Sequence, residues 1–323
     1  MRVGFLGTGW IGRHRMAAMI ETGAVAAVAF ADPSDEMAAE VAALAPEAKR
    51  VDGLDALIGE GLDGVVIATP SALHAEQSIR ALKAGLAVFC QKPLGRTEAE
   101  VRAVVDAARR ANRLLGLDLS YRHTAGMQVI AALIRSGELG RVSAVELVFH
   151  NAYGPGKSWF FDPAQSGGGC VVDLGVHLVD LALWALDWPE VTEVSARLLA
   201  GGEPLRPGRC EDYATATLAT ADGRAISLAC SWNLPAGREA VIAARFYGQG
   251  QGAAFENVDG SFFDFAADRF RATAREPLAA PPDDWGGRAA AYWARRLAAG
   301  ERFGAEADRF VDVARVLDRI YAR

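Results

Sequence analysis

Lysine is nearly missing from this chain. Only Lys49, Lys83, Lys92 and Lys157 stand among its 34 basic residues, leaving 30 arginines. Positive charge as a whole is outnumbered, since 40 acidic residues bring the net charge to −6. A protein that neutralises phosphate backbones shows the opposite balance, so no nucleic-acid partner is expected. Cysteine is scarce as well. Cys90, Cys170, Cys210 and Cys230 are widely spaced and form no C-x-x-C pair, which argues against a disulfide framework and against a zinc cluster; no metal site is expected. Long apolar runs are missing too, each being broken by Arg, Asp or Gly. The opening Met1-Arg2 is followed by a four-residue apolar stretch and then a glycine turn, too short for a signal-peptide core. These absences lead to the expectation of a soluble, cytoplasmic protein with no membrane partner.

What is present is ample material for packed cores: 323 residues, 51% of them hydrophobic and 23% charged. At about 100–200 residues per domain the length suggests two domains. Up to residue 120 the pattern alternates short apolar runs (3–6, 24–31, 64–68, 87–90, 114–119) with amphipathic stretches (11–22, 34–44, 74–84, 97–111). Such alternation predicts a doubly wound parallel sheet with helices on both faces. Ser34 is expected to cap the second helix, and Thr97 with Glu100 has capping-box spacing. Beyond 120 the grammar changes to longer alternating segments (142–150, 191–199, 213–220, 225–232, 241–247) with hairpin signals such as Asp222-Gly223. That pattern predicts a large, mostly antiparallel sheet open on one face. One helix is expected at 127–136 and another at 176–186. The expected organisation is therefore an α/β chain with a dinucleotide-binding domain over 1–120 and a second α/β domain over 121–323, whose last helix (305–321) packs back on the first.

Gly7-Thr8-Gly9-Trp10-Ile11-Gly12 is a G-x-G-x-x-G between the first strand and the first helix. In that context Gly7 permits the turn, Gly9 admits a pyrophosphate to the backbone, Gly12 lets helix and strand approach, and the helix N-terminus faces the phosphates. Asp32 ends the second strand 20 residues after Gly12, where a carboxylate accepts hydrogen bonds from the adenosine ribose. It also repels a 2′-phosphate, and the next residue is Pro33 rather than arginine, so NAD is expected over NADP. Thr69, Pro70 and Ser71 follow the fourth strand at its carboxyl end, where ligands of open α/β sheets lie, and His74 opens the next helix. These four residues are expected at the cofactor.

Lys92 follows the apolar run 87–90, and an ammonium at a strand's carboxyl end can titrate where guanidinium cannot. The second chemical signal is Gly167-Gly168-Gly169 followed by Asp173, His177 and Asp180. On a shared helix Asp173 and His177 lie on one face, where a carboxylate orients an imidazole for general-base work. The triple glycine is read as letting backbone pass close to a ligand. Tyr153, Lys157, Trp159 and Phe160 are candidates for the substrate side.

Taken in order, G-x-G-x-x-G, Ala31-Asp32-Pro33, Ala68-Thr69-Pro70 with His74, Lys92-Pro93 and the glycine-rich Asp173/His177 segment resemble the glucose–fructose oxidoreductase, inositol dehydrogenase and rhizopine-catabolism (Gfo/Idh/MocA) family. The resemblance implies a Rossmann domain, a C-terminal α/β domain whose large sheet often forms the oligomer interface, and NAD(P)-dependent oxidation or reduction of a sugar, cyclitol or polyol. It also implies catalytic roles for Lys92, Asp173 and His177 and a homodimer or homotetramer. One departure stands out: the family pattern Glu-Lys-Pro is here Gln91-Lys92-Pro93, with Gln91 beside the cofactor. Two other readings stay open: an enzyme that retains NAD and oxidises only transiently, for epimerisation or glycoside cleavage, and a non-catalytic dinucleotide sensor.

Overall fold

The computed structural model describes all of Met1–Arg323. The chain forms two compact units, Met1–Ser120 with Gly286–Asp312, and Tyr121–Trp285 with Val313–Arg323. The sequence reading put everything after 120 in the second domain; the structure returns Gly286–Asp312 to the first and divides the last helix.

In the first unit the strands are β1 (Arg2–Leu6), β2 (Ala26–Ala31), β3 (Lys49–Arg50), β4 (Gly64–Ile67), β5 (Ala87–Cys90) and β6 (Leu115–Leu117). The helices are α1 (Trp10–Glu21), α2 (Asp35–Leu44), α3 (Gly53–Ile58), α4 (Ser71–Lys83) and α5 (Glu98–Ala111). The six strands are parallel in the order β3-β2-β1-β4-β5-β6. This is the doubly wound order whose reversal between β1 and β4 opens a crevice at the strands' carboxyl ends. Local chemistry sets the helix starts as expected. Ser34 accepts the Met37 N–H, and Thr97 accepts that of Glu100. The second half of the capping box differs: Glu100 reaches back to the N–H of Arg96 rather than that of Thr97.

Between residues 288 and 298 lies a helix that the periodicity did not announce. In the unit's core its Trp293 joins Val3, Phe5, Met16, Met19, Val66 and Phe89. A Cβ on Gly64 would come within 2.9 Å of the Trp293 ring, and one on Gly116 within 2.6 Å. Both strands are glycine there because an indole lies against them.

The second unit is built on a nine-stranded sheet. Its elements are α6 (Ala125–Arg135), β7 (Ala144–Asn151), the short turn α7 (Pro163–Ser166), α8 (Val176–Ala185), β8 (Val191–Ala200), β9 (Glu203–Pro204), β10 (Tyr213–Thr220), β11 (Ala225–Ser231), β12 (Ala240–Tyr247), β13 (Gly252–Asn257), β14 (Phe265–Arg271) and β15 (Ala274–Ala279). The Trp293 helix is α9 (Arg288–Ala298), and α10 (Asp308–Ile320) ends the chain. Strand order is β15-β14-β13-β12-β7-β11-β10-β8-β9, antiparallel throughout except for the parallel β7–β11 pair. Strands β13 to β15 escaped the sequence reading because small residues, and Pro277 in β15, blur their alternation. Along β10 and β11 the inward residues Ala216, Leu218, Ile226 and Leu228 are buried, whereas Thr217 and Ser227 on the other face are exposed. The stretch Pro163–Ala185 is long and apolar enough to cross a membrane by length and composition, but 89% of its apolar 18-residue window is buried inside the fold.

Candidate active site

In the first unit the residues singled out by sequence gather at the carboxyl ends of β1, β2, β4 and β5. Gly7 has φ +82°, and a Cβ on it would lie 2.7 Å from the Ala68 carbonyl oxygen; one on Gly12 would lie 2.3 Å from the Gly7 carbonyl oxygen. Neither position has room for a side chain, so backbone packs directly on backbone there. Gly9 is the N-cap of α1, no side chain caps it, and the first helical turn carries no acid. The donors of this helix end are therefore left for an anion. Trp10 is exposed and Thr8 fully buried. Asp32 is tied to the turn: its Oδ2 accepts the Thr8 N–H at 2.7 Å and its Oδ1 the Ser34 N–H at 3.0 Å. A carboxylate has about four acceptor positions, so two remain for ribose hydroxyls. Together the bare helix end, the glycine cradle and Asp32 fit a dinucleotide.

Thr69 donates its hydroxyl to Gln77 Oε1 at 2.6 Å, Pro70 is the N-cap of α4, and Ser71 is buried in its first turn. His74, expected at the cofactor, is spent otherwise. Its Nδ1 lies 2.6 Å from the Pro93 carbonyl oxygen and its Nε2 2.7 Å from that of Thr69. The ring is a splint between the β4 and β5 loops. Burial pulls its pKa down, the two carbonyls pull it up, and the Lys92 charge adds to the lowering; burial prevails. Lys92 and Gln91 are half-buried after β5. Gln91 donates to Asp118, which is 1% exposed and also accepts from Arg15. Sequence reasoning missed Asp118 and Arg15, which belong to no motif.

In the second unit Asp173 and His177 do not share one regular helix. Asp173 lies in a π-helical turn, Val171–Gly175, and His177 in the first turn of α8. Turns of this kind recur at functional sites. Trp232 Nε1 donates to Asp173 Oδ2 at 3.1 Å. Tyr121 meets the His177 ring edge-on at 4.9 Å, and its phenol is pushed far up by burial and then by the Asp173 charge. The buried Tyr121 therefore touches one candidate catalytic side chain, His177, and its phenol feels the charge of the other, Asp173. Asp180 is buried and paired to the Arg122 guanidinium; burial raises its pKa against that pairing.

The triple glycine has a different partner from the one expected. A Cβ on Gly169 would lie 1.9 Å from the Glu211 carbonyl oxygen, and one on Gly168 2.1 Å from the Tyr321 hydroxyl. The close approach is to the protein itself. Glu211, fully buried, accepts the N–H groups of Gly169 and Val171 and the Tyr321 hydroxyl. It clamps the segment leading into Asp173, and burial raises its own pKa against those three donors. Only the adjacent acids Glu211-Asp212 were visible in sequence, with nothing to mark one as buried. Among the substrate candidates, Trp159 stacks on Phe160 at 3.8 Å, and Phe160 stands edge-on to Trp232, the Asp173 partner. Tyr153 is exposed beside Phe262, and Lys157 is exposed.

A doubly wound sheet with a bare glycine turn, joined in sequence to a nine-stranded sheet unit, defines a two-unit dinucleotide-fold protein. Residues 1–119 match the oxidoreductase family's NAD-binding Rossmann fold, and residues 127–252 the GFO/IDH/MocA C-terminal domain. The chain belongs to the Gfo/Idh/MocA oxidoreductase family. It is 31% identical over 212 residues to a 1,5-anhydro-D-fructose reductase of Ensifer adhaerens (64% of this chain). It is 32% identical over 227 residues to an inositol 2-dehydrogenase of Rhodococcus erythropolis (69% of this chain). Each match spans 63% of the relative's own length, just under two thirds. In fold it resembles levoglucosan dehydrogenase, solved with NADH and levoglucosan, at TM-score 0.85 and 23% identity over 100% of this chain and 96% of that one.

Proposed function

We propose that this protein is an NAD(P)-dependent oxidoreductase moving a hydride between the nicotinamide and a CH–OH carbon of a sugar, inositol or related polyol. The observation that carries the reading is the uncapped, acid-free start of α1 behind Gly7 and Gly12, with the Asp32 carboxylate beside it. Gly7, Thr8, Gly9, Trp10, Ile11 and Gly12 cradle the pyrophosphate, and Asp32 takes the ribose hydroxyls. Because a carboxylate there repels a 2′-phosphate, NAD is the preferred cofactor. When bound, the nicotinamide accepts or returns the hydride. His177 takes the hydroxyl proton at its imidazole during oxidation and gives it back during reduction. Asp173, steadied by Trp232, favours the protonated ring. Lys92 donates a hydrogen bond to the reacting oxygen and stabilises the negative charge that develops on it. Tyr153 and Trp159 supply apolar ring faces for the substrate.

The names of the relatives select the first probes. Myo-inositol and levoglucosan with NAD or NADP, and 1,5-anhydro-D-fructose with NADH or NADPH, are followed by nicotinamide absorbance. The reading expects turnover with at least one of them and kcat/KM for NAD at least about tenfold above NADP, a difference of ~1.4 kcal/mol. Lys92→Ala and His177→Ala should each lower kcat by roughly 10²–10⁴ while NADH binding, read by fluorescence, changes little. Undiminished turnover in His177→Ala removes it from the mechanism.

A further inference from the structure

Where the family pattern has Glu-Lys-Pro this chain has Gln91-Lys92-Pro93, and the surroundings of Gln91 show what the amide does. Its Oε1 accepts the backbone N–H of Lys92 at 2.9 Å, so the side chain folds over the lysine's own peptide group. Its Nε2 donates to Asp118 Oδ2 at 2.7 Å. One end must accept and the other donate, which an ionised carboxylate cannot do. Asp118, just after β6, is the meeting point of three donors: Gln91, Arg15 Nε at 2.5 Å and the Ser120 hydroxyl. Arg15 comes from α1, the helix behind the glycine turn, and also donates to Ser120 Oγ at 3.2 Å. One line of bonds thus runs from α1 through Asp118 and Gln91 to the backbone of Lys92. Arg15 is 8% exposed and Asp118 1%, so both charges are buried and answer each other.

We propose that Gln91 is a positioning residue for Lys92, and that Asp118 rather than the residue before the lysine carries the carboxylate of this site. The proposal rests on the reading of Lys92 as a catalytic group. A glutamate at 91 in the same rotamer would set a second carboxylate 2.7 Å from the first. Like charges that close cannot both stay ionised; one takes up a proton, or the new side chain swings out and releases the Lys92 N–H. The glutamine is therefore the residue that a carboxylate at 118 requires.

The test is a charge-swap cycle in the full chain: Gln91→Glu, Asp118→Asn and the double variant. The scarcity of lysine supplies a readout independent of turnover. Acetic anhydride labelling, resolved by peptide mass spectrometry, gives the reactivity of Lys92 relative to Lys49 and Lys83 in the same molecule. Gln91→Glu should change that ratio by at least about threefold and lower kcat by roughly 10–10², the scale of a reactive group displaced by about 1 Å, with KM for NAD within about threefold. The double variant should bring both readouts back to within about threefold of wild type, a coupling that separate roles would not produce. Wild-type labelling in Gln91→Glu, or a double variant as impaired as the two singles combined, overturns the proposal. If Gln91→Glu does not fold, Gln91→Met removes both bonds without adding charge, and unchanged Lys92 labelling there is equally fatal. Full kcat in Lys92→Ala instead refutes the catalytic reading, and the positioning role with it, whatever the labelling shows.

Discussion

Gly169 has no room for a side chain, since the Glu211 backbone occupies the space of a Cβ. Gly169→Ala is expected to cost at least ~1–3 kcal/mol, the usual range for overpacking, because rigid backbone rather than a flexible side-chain end must yield. Urea unfolding measures it, and a wild-type midpoint would show that the segment relaxes freely. His74 makes a pH prediction. A neutral imidazole carries one N–H, yet both ring nitrogens face carbonyl oxygens. Protonation would satisfy both, but burial and Lys92 hold the folded pKa below the ordinary value of 6.5. As pH falls through 6.5 the unfolded chain binds a proton that the folded chain resists, so this residue's stabilisation is full above 6.5 and lost below it. The melting temperature should therefore fall between pH 6.5 and about 5, less steeply in His74→Gln. Equal slopes would remove His74 as a cause.

At the scale of elements, helix starts were legible because capping is local: Ser34 and Thr97 sit one residue before α2 and α5, and both accept the expected N–H groups. Helix α9 was missed in the sequence. Its residues run Arg-Ala-Ala-Ala-Tyr-Trp-Ala-Arg-Arg-Leu-Ala, with Ala289, Ala290, Trp293, Ala294 and Leu297 on a buried face and Arg288 and Arg295 exposed, but that buried face is mostly alanine. Its place comes from Trp293, for which β4 and β6 leave space at Gly64 and Gly116. Trp293→Ala should cost about 3–5 kcal/mol in chemical unfolding, since it empties a site that two glycines cannot fill. A loss below 1 kcal/mol would mean that α9 is a peripheral decoration of the first unit. The π-turn carrying Asp173 was equally hidden, because four-residue spacing is read against a 3.6-residue helix.

For the whole molecule, the open face of the nine-stranded sheet carries its own prediction. Ser195, Thr217, Ser227, Glu146 and Arg245 form one register row across β8, β10, β11, β7 and β12, and the first four are exposed. The opposite face is apolar and buried under α6 and α8. The family resemblance implies a homodimer or homotetramer built on the large sheet, and this polar face is the one open to such a contact. Light scattering coupled to gel filtration should then give two or four times 34.2 kDa, and Arg substituted at both Thr217 and Ser227 should shift the mass downward. A monomer at micromolar concentration would refute it.

The sequence by itself determined the alternation of the first 120 residues, the phosphate turn and the acid at the end of β2. Each depends on contacts within a few residues or on one strand–turn–helix unit. It also marked Lys92, Asp173 and His177 by type and spacing. Tertiary structure alone decided the rest: that His74 splints two loops, that Glu211 and Tyr321 fill the space left by the triple glycine, that Trp232 steadies Asp173, and that Asp118 with Arg15 answers Gln91. Apart from the His74–Thr69 bond, which spans five residues, these pairs lie between 19 and 153 residues apart, counting from His74 to Pro93 and from Gly168 to Tyr321. A buried hydrogen bond leaves no periodicity in the chain, because its partners are chosen by the space that folding brings together.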